Sequence, residues 1–324
     1  MSGWLLRRGA QAVVTFLVAS VIIFFLMRVI PGDPVAVLAG DRPQTAEQLA
    51  RLRQRYCLDC SLAVQFGHFL RDAVRGDLGT SIRYQGRRVT TIIRERLPAT
   101  LLLGGTVLLL NFTIGLALGA WQGVRKGRAT DRVLSAVSLT GYAIPSFWLG
   151  LILAWLFATE WRILPAGGIH SVLLSPEAPV VTRMLDLGRH LILPALTLSI
   201  VSIAATMRYQ RTAMIEVMSL DFIRTARAKG LPESAVLTRH AWRNALFPVI
   251  TLFGLWLPIL VTGSVFVESV FSWNGLGLLA TEAIAGRDYP LLMGTTMLVA
   301  ALVILGGLIT DVAYLLLDPR VRVR

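Results

Sequence analysis

The chain has 324 residues, of which 55% are hydrophobic and only 16% charged, yet its formal net charge is +13. A soluble domain carries about 25% charged residues, and a disordered chain lacks this much apolar mass. A greasy and basic chain therefore reads as a membrane protein with its charge in the loops, rather than as a nucleic-acid-binding domain with basic residues clustered on a soluble fold.

Six stretches free of Asp, Glu, Lys and Arg are long enough to cross the membrane: Gly9–Met27, Leu97–Val124, Val133–Thr159, His190–Met207, Asn244–Val267 and Tyr289–Thr310. A spanning helix needs about 20 such residues to cover about 30 Å of hydrocarbon. Ile163–Pro176 is shorter and is broken by Pro165, Gly167 and Gly168. Period-two alternation is absent, which argues against a β-barrel. The expected fold class is all-α: a polytopic membrane protein with six transmembrane helices and short amphipathic helices in its first extracytoplasmic segment. The first apolar run follows Arg7 and Arg8 but is longer than a signal-peptide core and lacks a good cleavage site, so it reads as a retained span.

If each crossing alternates sides, the side of the N-terminus holds 16 of the basic residues, and the two short opposite loops, 160–189 and 268–288, hold four. The positive-inside rule then places both termini in the cytoplasm. Segment 28–96 is an exception, with 12 basic and seven acidic residues on the outer side; segments of this length translocate largely regardless of charge. The resulting organisation is a cytoplasmic N-terminus (1–8), a first transmembrane helix (9–30), an extracytoplasmic segment (31–96), a core with five further spans (97–314) and a cytoplasmic tail (315–324).

Within 31–96, Pro31-Gly32-Asp33-Pro34 stops the first helix. Thr45-Ala46-Glu47-Gln48 has the form of a capping box, followed by Leu49, Leu52 and Tyr56 on one helical face. A second short helix is expected from Ser61 to about Arg75, with Gly76 as its stop. Cys57-Leu58-Asp59-Cys60 is the sole cysteine pair. Without a second CxxC, and with His68 as its one near histidine, it reads as a structural or incidental pair, able to oxidise on the outer side, rather than as half of a zinc site.

The chemistry-bearing motifs are mostly missing. The chain has no GxxxxGK[ST] to cradle nucleotide phosphates, no GxSxG and no HExxH. Its four histidines, His68, His170, His190 and His240, are scattered along the sequence. Asp311 and Glu268 sit at span ends, where both can reach the interface. No catalytic, cofactor-binding or metal-ligating residue is predicted. Asn111, Tyr142, Trp148 and Trp256 are candidates to line a pathway, with interhelical hydrogen bonding the competing role for Asn111.

The strongest signal lies between the fourth and fifth spans. Asp221-Phe222-Ile223-Arg224-Thr225-Ala226-Arg227-Ala228-Lys229-Gly230-Leu231-Pro232 predicts a short cytoplasmic helix over Phe222–Lys229, capped by Asp221 and ended by Gly230 and Pro232. About two turns are too few to be stable alone, so this helix must dock on something: its own chain or a partner.

DFIRTARAKGL, followed by His240-Ala241-Trp242-Arg243-Asn244-Ala245-Leu246-Phe247-Pro248, resembles the ATP-binding-cassette importer permeases of the dipeptide, oligopeptide and nickel group. Pro31-Gly32-Asp33-Pro34, Gly76-Asp77-Leu78-Gly79, His190-Leu191-Ile192-Leu193-Pro194, Phe271-Ser272-Trp273-Asn274-Gly275-Leu276-Gly277, Arg287-Asp288-Tyr289-Pro290 and Asp318-Pro319-Arg320-Val321-Arg322 follow the same pattern in order, so the resemblance covers the whole chain. The wider family's EAA-xxx-G signature is only partly kept. With its glycine on Gly230, only Ala226 matches among Arg224, Thr225 and Ala226.

The resemblance implies a permease subunit in a bacterial inner membrane. It would form the pathway with a second homologous permease, driven by two cytoplasmic ATP-binding subunits and fed by an extracytoplasmic substrate-binding protein; membrane lipid is its remaining partner and nucleic acid is not expected. The chain itself would be no enzyme and carry no cofactor. Asp221, Phe222, Arg224, Thr225, Ala226, Arg227, Ala228, Lys229 and Gly230 would form the helix that couples to an ATPase. Di- or oligopeptides are the expected solutes; nickel, metal chelates or glutathione are the alternative. An ion-coupled secondary transporter is the reading from another class, and it would need buried mid-span acids or histidines.

Overall fold

A computed structural model describes residues 2–29, 45, 47, 51, 59–175, 177–249 and 264–317. Among these residues the chain is helical, with one isolated antiparallel bridge between Thr80 and Arg88 in place of any sheet. Four helices are long and apolar enough to cross a bilayer: Leu6–Met27 within α1 (Ser2–Val29), α3 (Val89–Val124), α6 (Val180–Met218) and Tyr289–Val312 within α10 (Tyr289–Leu317). Most of the stretch Asn244–Val267 lies outside the described residues. So do Pro31-Gly32-Asp33-Pro34, Leu49, Leu52, Tyr56 and all of the capping box except Thr45 and Glu47.

The third charge-free stretch is not one straight span. It divides into α4 (Ala129–Ala143) and α5 (Ser146–Glu160), which meet at 98°. Pro145 at the break cannot donate a backbone hydrogen bond and pushes Ile144 into an extended conformation, φ −76 and ψ 126. In contrast, α6 runs unbroken through Pro194 for 39 residues, about 58 Å at ~1.5 Å per residue. That is well beyond the hydrocarbon thickness, so its ends project past the apolar region.

The chain forms two compact units. The first comprises Met1–Pro98 and Gly275–Leu305. Its core gathers Val89, Ile92 and Ile93 of α3, Leu276, Leu279 and Ala283 of α9 (Leu276–Ala285), and Leu291 and Leu292 of α10. The predicted helix after Ser61 is α2 (Leu62–Val74), with Ser61 as N-cap residue and Gly76 at φ 78 beyond its end. Phe66 and Phe69 of α2 pack their rings against Phe24 of α1. Cys60 is disulfide-bonded, and Cys57 lies outside the described residues.

The second unit comprises Ala99–Asn274 and Gly306–Arg324. One of its clusters joins Leu103 and Val107 of α3 to Leu193, Ala195 and Leu198 of α6 and to Val267, Phe271 and Trp273. The Trp273 indole donates to the Ala99 carbonyl at 2.9 Å. A second cluster surrounds the C-terminal end of α6. The loop after α5 is strapped down by backbone contact, the Gly168 N–H donating to the Phe271 carbonyl at 2.8 Å. It is also held by Asp186, which accepts from the Ser171 backbone at 2.9 Å and pairs with His170 Nδ1 at 3.2 Å. The histidines are thus less scattered than the sequence suggests. His190 Nδ1 lies 2.8 Å from the Asp186 carbonyl oxygen, although no group of three His, Cys, Asp or Glu residues suited to a metal exists among the described residues.

Candidate functional site

The short helix predicted between the fourth and fifth apolar stretches is α7 (Asp221–Ala228). It begins one residue earlier than predicted. Leu220 occupies the N-cap, at φ −76 and ψ 149, and no side chain caps the helix. Asp221 instead stands in the first turn, where its charge favours the helix dipole, and pairs with Arg224 at 3.3 Å. The other end falls one residue short of the prediction, at Ala228, with the stop at Gly230 as expected. Lys229 is the C-cap and Gly230 follows at φ 78. The Gly230 N–H donates to the Arg227 carbonyl at 2.9 Å and the Leu231 N–H to the Ala226 carbonyl at 3.4 Å. This pair of bonds is the Schellman closure.

Two sides of α7 have different fates. Ile223 and Ala226, 0% and 5% exposed, enter a cluster with Ala213, Met214 and Val217 of α6 and with Val236, Ala241 and Ala245 of α8 (residues 233–245). Asp221, Phe222, Arg224, Thr225, Ala228, Lys229 and Gly230 remain exposed. Arg227 crosses to Glu233, at the start of α8, with bonds of 2.7 and 3.1 Å. These bonds hold the Glu233 carboxyl below its ordinary range. The helix is therefore docked on its own chain along one edge and is free along the rest.

What α7 is docked on is itself tied to the neighbouring helices. Arg211 of α6 grips Asp131 of α4 through Nε and Nη2, at 2.7 and 2.9 Å. Asp131 also accepts from the Gly127 N–H at 2.8 Å, and the side chain of Gln122 donates to its carbonyl at 3.1 Å. Arg211, a turn before Met214, thus fixes the first turn of α4, and Asp131 passes that hold to Gly127 in the connection from α3.

Along α3, Gly115, Gly119 and Gly123 form a stripe against α6. A Cβ on Gly119 would stand 2.6 Å from the Met207 carbonyl oxygen, and one on Gly123 2.7 Å from the Met214 Cβ. Only hydrogen fits there, and the two backbones approach as in small-residue contacts between membrane helices. The stripe begins in a π-helical turn, Asn111–Gly115. Asn111 is 1% exposed, and neither its amide nitrogen nor its oxygen has a hydrogen-bond partner. Thr206 Oγ1 and both polar atoms of the Gln210 side chain are equally buried and unpartnered. Such a group costs about 1–3 kcal/mol when left unpaired, so this crossing is tight in shape and poor in polar satisfaction. Asn111 does not make the interhelical hydrogen bond expected of it.

The expected pathway residues that are described lie in different settings. Asn111 is buried in the crossing, whereas Tyr142 and Trp148 are 54% and 49% exposed. Trp148 borders an apolar groove of about 550 Å³ with Thr140, Ile144, Pro145 and Phe147, at the break between α4 and α5. Trp256 lies outside the described residues. Glu268, expected to reach the interface, is 0% exposed and accepts from Thr100 and Ser264 at 2.9 and 3.0 Å.

The arrangement is a set of apolar helices with a small amphipathic helix fastened to the end of the longest. A family described as binding-protein-dependent transport system inner membrane component matches residues 112–323, and a companion described as the N-terminal part of such membrane components matches residues 1–104. The chain belongs to this family. It is an inner-membrane permease component, not an enzyme. Over 321 residues it is 38% identical to the oligopeptide transport system permease protein AppB of Bacillus subtilis strain 168, covering 99% of both chains. It is 35% identical over 337 residues to the dipeptide transport system permease protein DppB of Escherichia coli K12, again covering 99% of both. With the di/tripeptide transport system permease protein DppB of Pseudomonas aeruginosa UCBPP-PA14 it shares 37% over 334 residues and 99% of each chain.

Sequence reasoning missed two structural features of this permease. The Gly115, Gly119, Gly123 spacing was available as a repeated G-x-x-x-G. The Asp131–Arg211 bridge, spanning 80 positions, had no local signal.

Proposed function

We propose that the chain is a peptide-importing permease subunit that forms a translocation pathway with a second, homologous permease, is driven by two cytoplasmic ATP-binding subunits and receives solute from an extracytoplasmic binding protein. Its described long helices, the broken pair α4–α5 and the apolar stretch Asn244–Val267 would make six spans, with both termini cytoplasmic and segment 31–96 outside. The relatives at 35–38% identity named for oligopeptides, dipeptides and di/tripeptides support peptides over nickel or metal chelates.

The observation that carries the reading is the division of α7 into two sides. Ile223 and Ala226 fasten it to α6 and α8, while Phe222, Arg224 and Lys229 face outward. A partner that pushes on the outer side moves α6, because the inner side is packed rather than tethered. We assign this outer side as the seat of an ATP-binding subunit. ATP-driven closure of the two ATPases would then bias the spans between two arrangements, provided nucleotide favours one of them.

Arg224 makes only an exposed pair with Asp221, so Arg224→Glu tests docking without disturbing the core. The variant should insert normally, lose co-purifying ATP-binding subunits in a salt-dependent way and lose dipeptide uptake. Gly230→Val should add a second lesion. No atom lies within 4 Å of a Cβ there, so the whole penalty is backbone strain at φ 78, about 1 kcal/mol or more. Normal ATPase retention and uptake in both variants would show that α7 merely packs on its own chain.

A further inference from the structure

The turn at residues 81–88 is unusually well fixed for an exposed loop. Its backbone closes on itself: the Ser81 N–H donates to the Arg87 carbonyl at 2.9 Å, Gly86 to Ser81 at 2.9 Å and Arg87 to Tyr84 at 3.1 Å. Gln85 and Gly86, at φ 52 and 80, take the left-handed pair of a tight reversing turn. Asp288, itself 0% exposed, holds the loop from beneath. It accepts from the Ser81 hydroxyl and from the Arg83 N–H at 3.0 Å, while its other oxygen caps α10 through the Leu291 N–H at 3.2 Å. The Tyr84 hydroxyl donates to Glu282 at 2.6 Å and accepts from Arg96 at 3.1 Å. Burial and that carboxylate push the Tyr84 phenol up from its ordinary value, so it stays a donor.

This fixed turn displays arginines. Arg83, Arg87, Arg88 and Arg94 are all exposed, and Glu95 beside them is taken by Arg87 at 2.6 Å. Beneath it Asp288 is buried and Glu282 half-buried, and both are used in holding the loop. With segment 31–96 outside, these cations lie on the side that the positive-inside bias disfavours, on a turn closed by backbone bonds of its own and held by two hydrogen bonds to Asp288, and so are preorganised for binding carboxylates. Arginine binds a carboxylate in a fixed two-point geometry, and a rigid mount reduces the ordering cost of doing so.

We propose that the Ser81–Arg88 turn, with Arg94, is the electrostatic contact for an acidic patch on the extracytoplasmic binding protein; this rests on the reading that segment 31–96 lies outside. A protein partner is favoured over anionic lipid because a mobile headgroup gains little from a stapled turn, whereas a folded surface with fixed carboxylates does.

The test uses the full permease assembly in discs of zwitterionic lipid and the purified binding protein. Arg87→Glu combined with Arg88→Glu should weaken docking several-fold and flatten its salt dependence, while ATP-binding subunits still co-purify. Asp288→Asn, which loosens the mount but leaves the arginines, should weaken docking less, mainly through a faster off-rate. Unchanged affinity and salt slope in the double variant overturn the proposal, even where wild-type docking and uptake stand. Failure of the wild type to bind at all overturns both this and the permease topology beneath it. Loss of binding to anionic vesicles without loss of docking would assign the turn to lipid instead and overturn it equally.

Discussion

α1 and α6 are both long apolar helices, and their places in the molecule are opposite. The most apolar window of α1 has a mean hydropathy of 2.5 and is 17% buried; that of α6 has 1.8 and is 67% buried. Val13, Val14 and Leu26 of α1 are more than half exposed. α6 buries Thr197, Ser199, Ser202, Ala204, Ala205, Thr206 and Gln210 instead. In water the greasiest helix goes inside. In a bilayer the lipid is as apolar as leucine, so burial is won by small residues that allow close approach. The least apolar long span is therefore the hub, and the most apolar is the one left to lipid or a partner.

That contrast breaks most visibly at charge. Arg211 of α6 and Arg7 of α1 are both arginines near a span end, but only Arg211 closes a two-nitrogen grip on a carboxylate that is 4% exposed. Arg211→Met leaves Asp131 buried and uncompensated, which costs about 3–5 kcal/mol. Thermal unfolding of the purified chain should show a large loss, while Arg7→Met, at an exposed position, should leave the midpoint within error. Partial recovery in the double variant Arg211→Met, Asp131→Leu would confirm that the unpaired carboxylate is the cause. Equal effects of the two arginine variants would mean that α6 is no hub.

A gentler probe sharpens the same contrast sterically. Gly119→Ala places a methyl 2.6 Å from the Met207 carbonyl oxygen; neither backbone can give way cheaply, and overpacking of this kind costs about 1–3 kcal/mol. Val14→Leu on α1 adds a methylene to a side chain already 59% exposed and should cost nothing measurable. If Gly119→Ala is as stable as wild type, the glycine stripe is not a close contact and α3 is free to move against α6.

Much of this was legible in the sequence, though unevenly. Charge-free stretches locate α1, α3, α6 and α10, because length and hydropathy report directly on what can sit in hydrocarbon. They overstate the regularity of residues 133–159, where Pro145 turns one apolar run into two helices. They understate α6, whose helix continues through Arg208, Arg211 and Glu216 because charged residues are good helix formers once outside the lipid. The stop of α7 is correctly placed at Gly230, since a positive φ has few alternatives to glycine, although its last helical residue is Ala228 and not Lys229. Its start is off by one, because Asp serves equally well as a cap or in the first turn. The six-span count, the orientation and the role of α7 come from charge bias and resemblance. Which face of which helix is buried, and the Asp131–Arg211 and Asp288 contacts, depend on packing between distant segments that no local pattern encodes.

The smallest effect separates the exposed mount of α7 from the buried hub beneath it. Arg227 and Glu233 join α7 to α8 across side chains that are 41% and 55% exposed, so water screens the pair and it is worth about 0–1 kcal/mol. Hydrogen bonding to the Arg227 guanidinium, more than the desolvation that opposes it, holds the Glu233 carboxyl below its ordinary value. A carboxyl lowered in the folded state contributes stability above its unfolded pKa, about 4.3, and loses it as pH falls through the folded value. Glu233→Gln should therefore be slightly less stable than wild type at pH 7, by a few degrees or less in midpoint. The two curves should converge on acidification below about pH 4. The Arg211→Met deficit should be present at pH 7 and far larger than that of Glu233→Gln. If the Glu233→Gln deficit matches it, α7 is held mainly by its surface ion pair and not by Ile223 and Ala226. A push on α7 would then bend the mount before it moved α6, and the mechanical route proposed for coupling would fail at its first step.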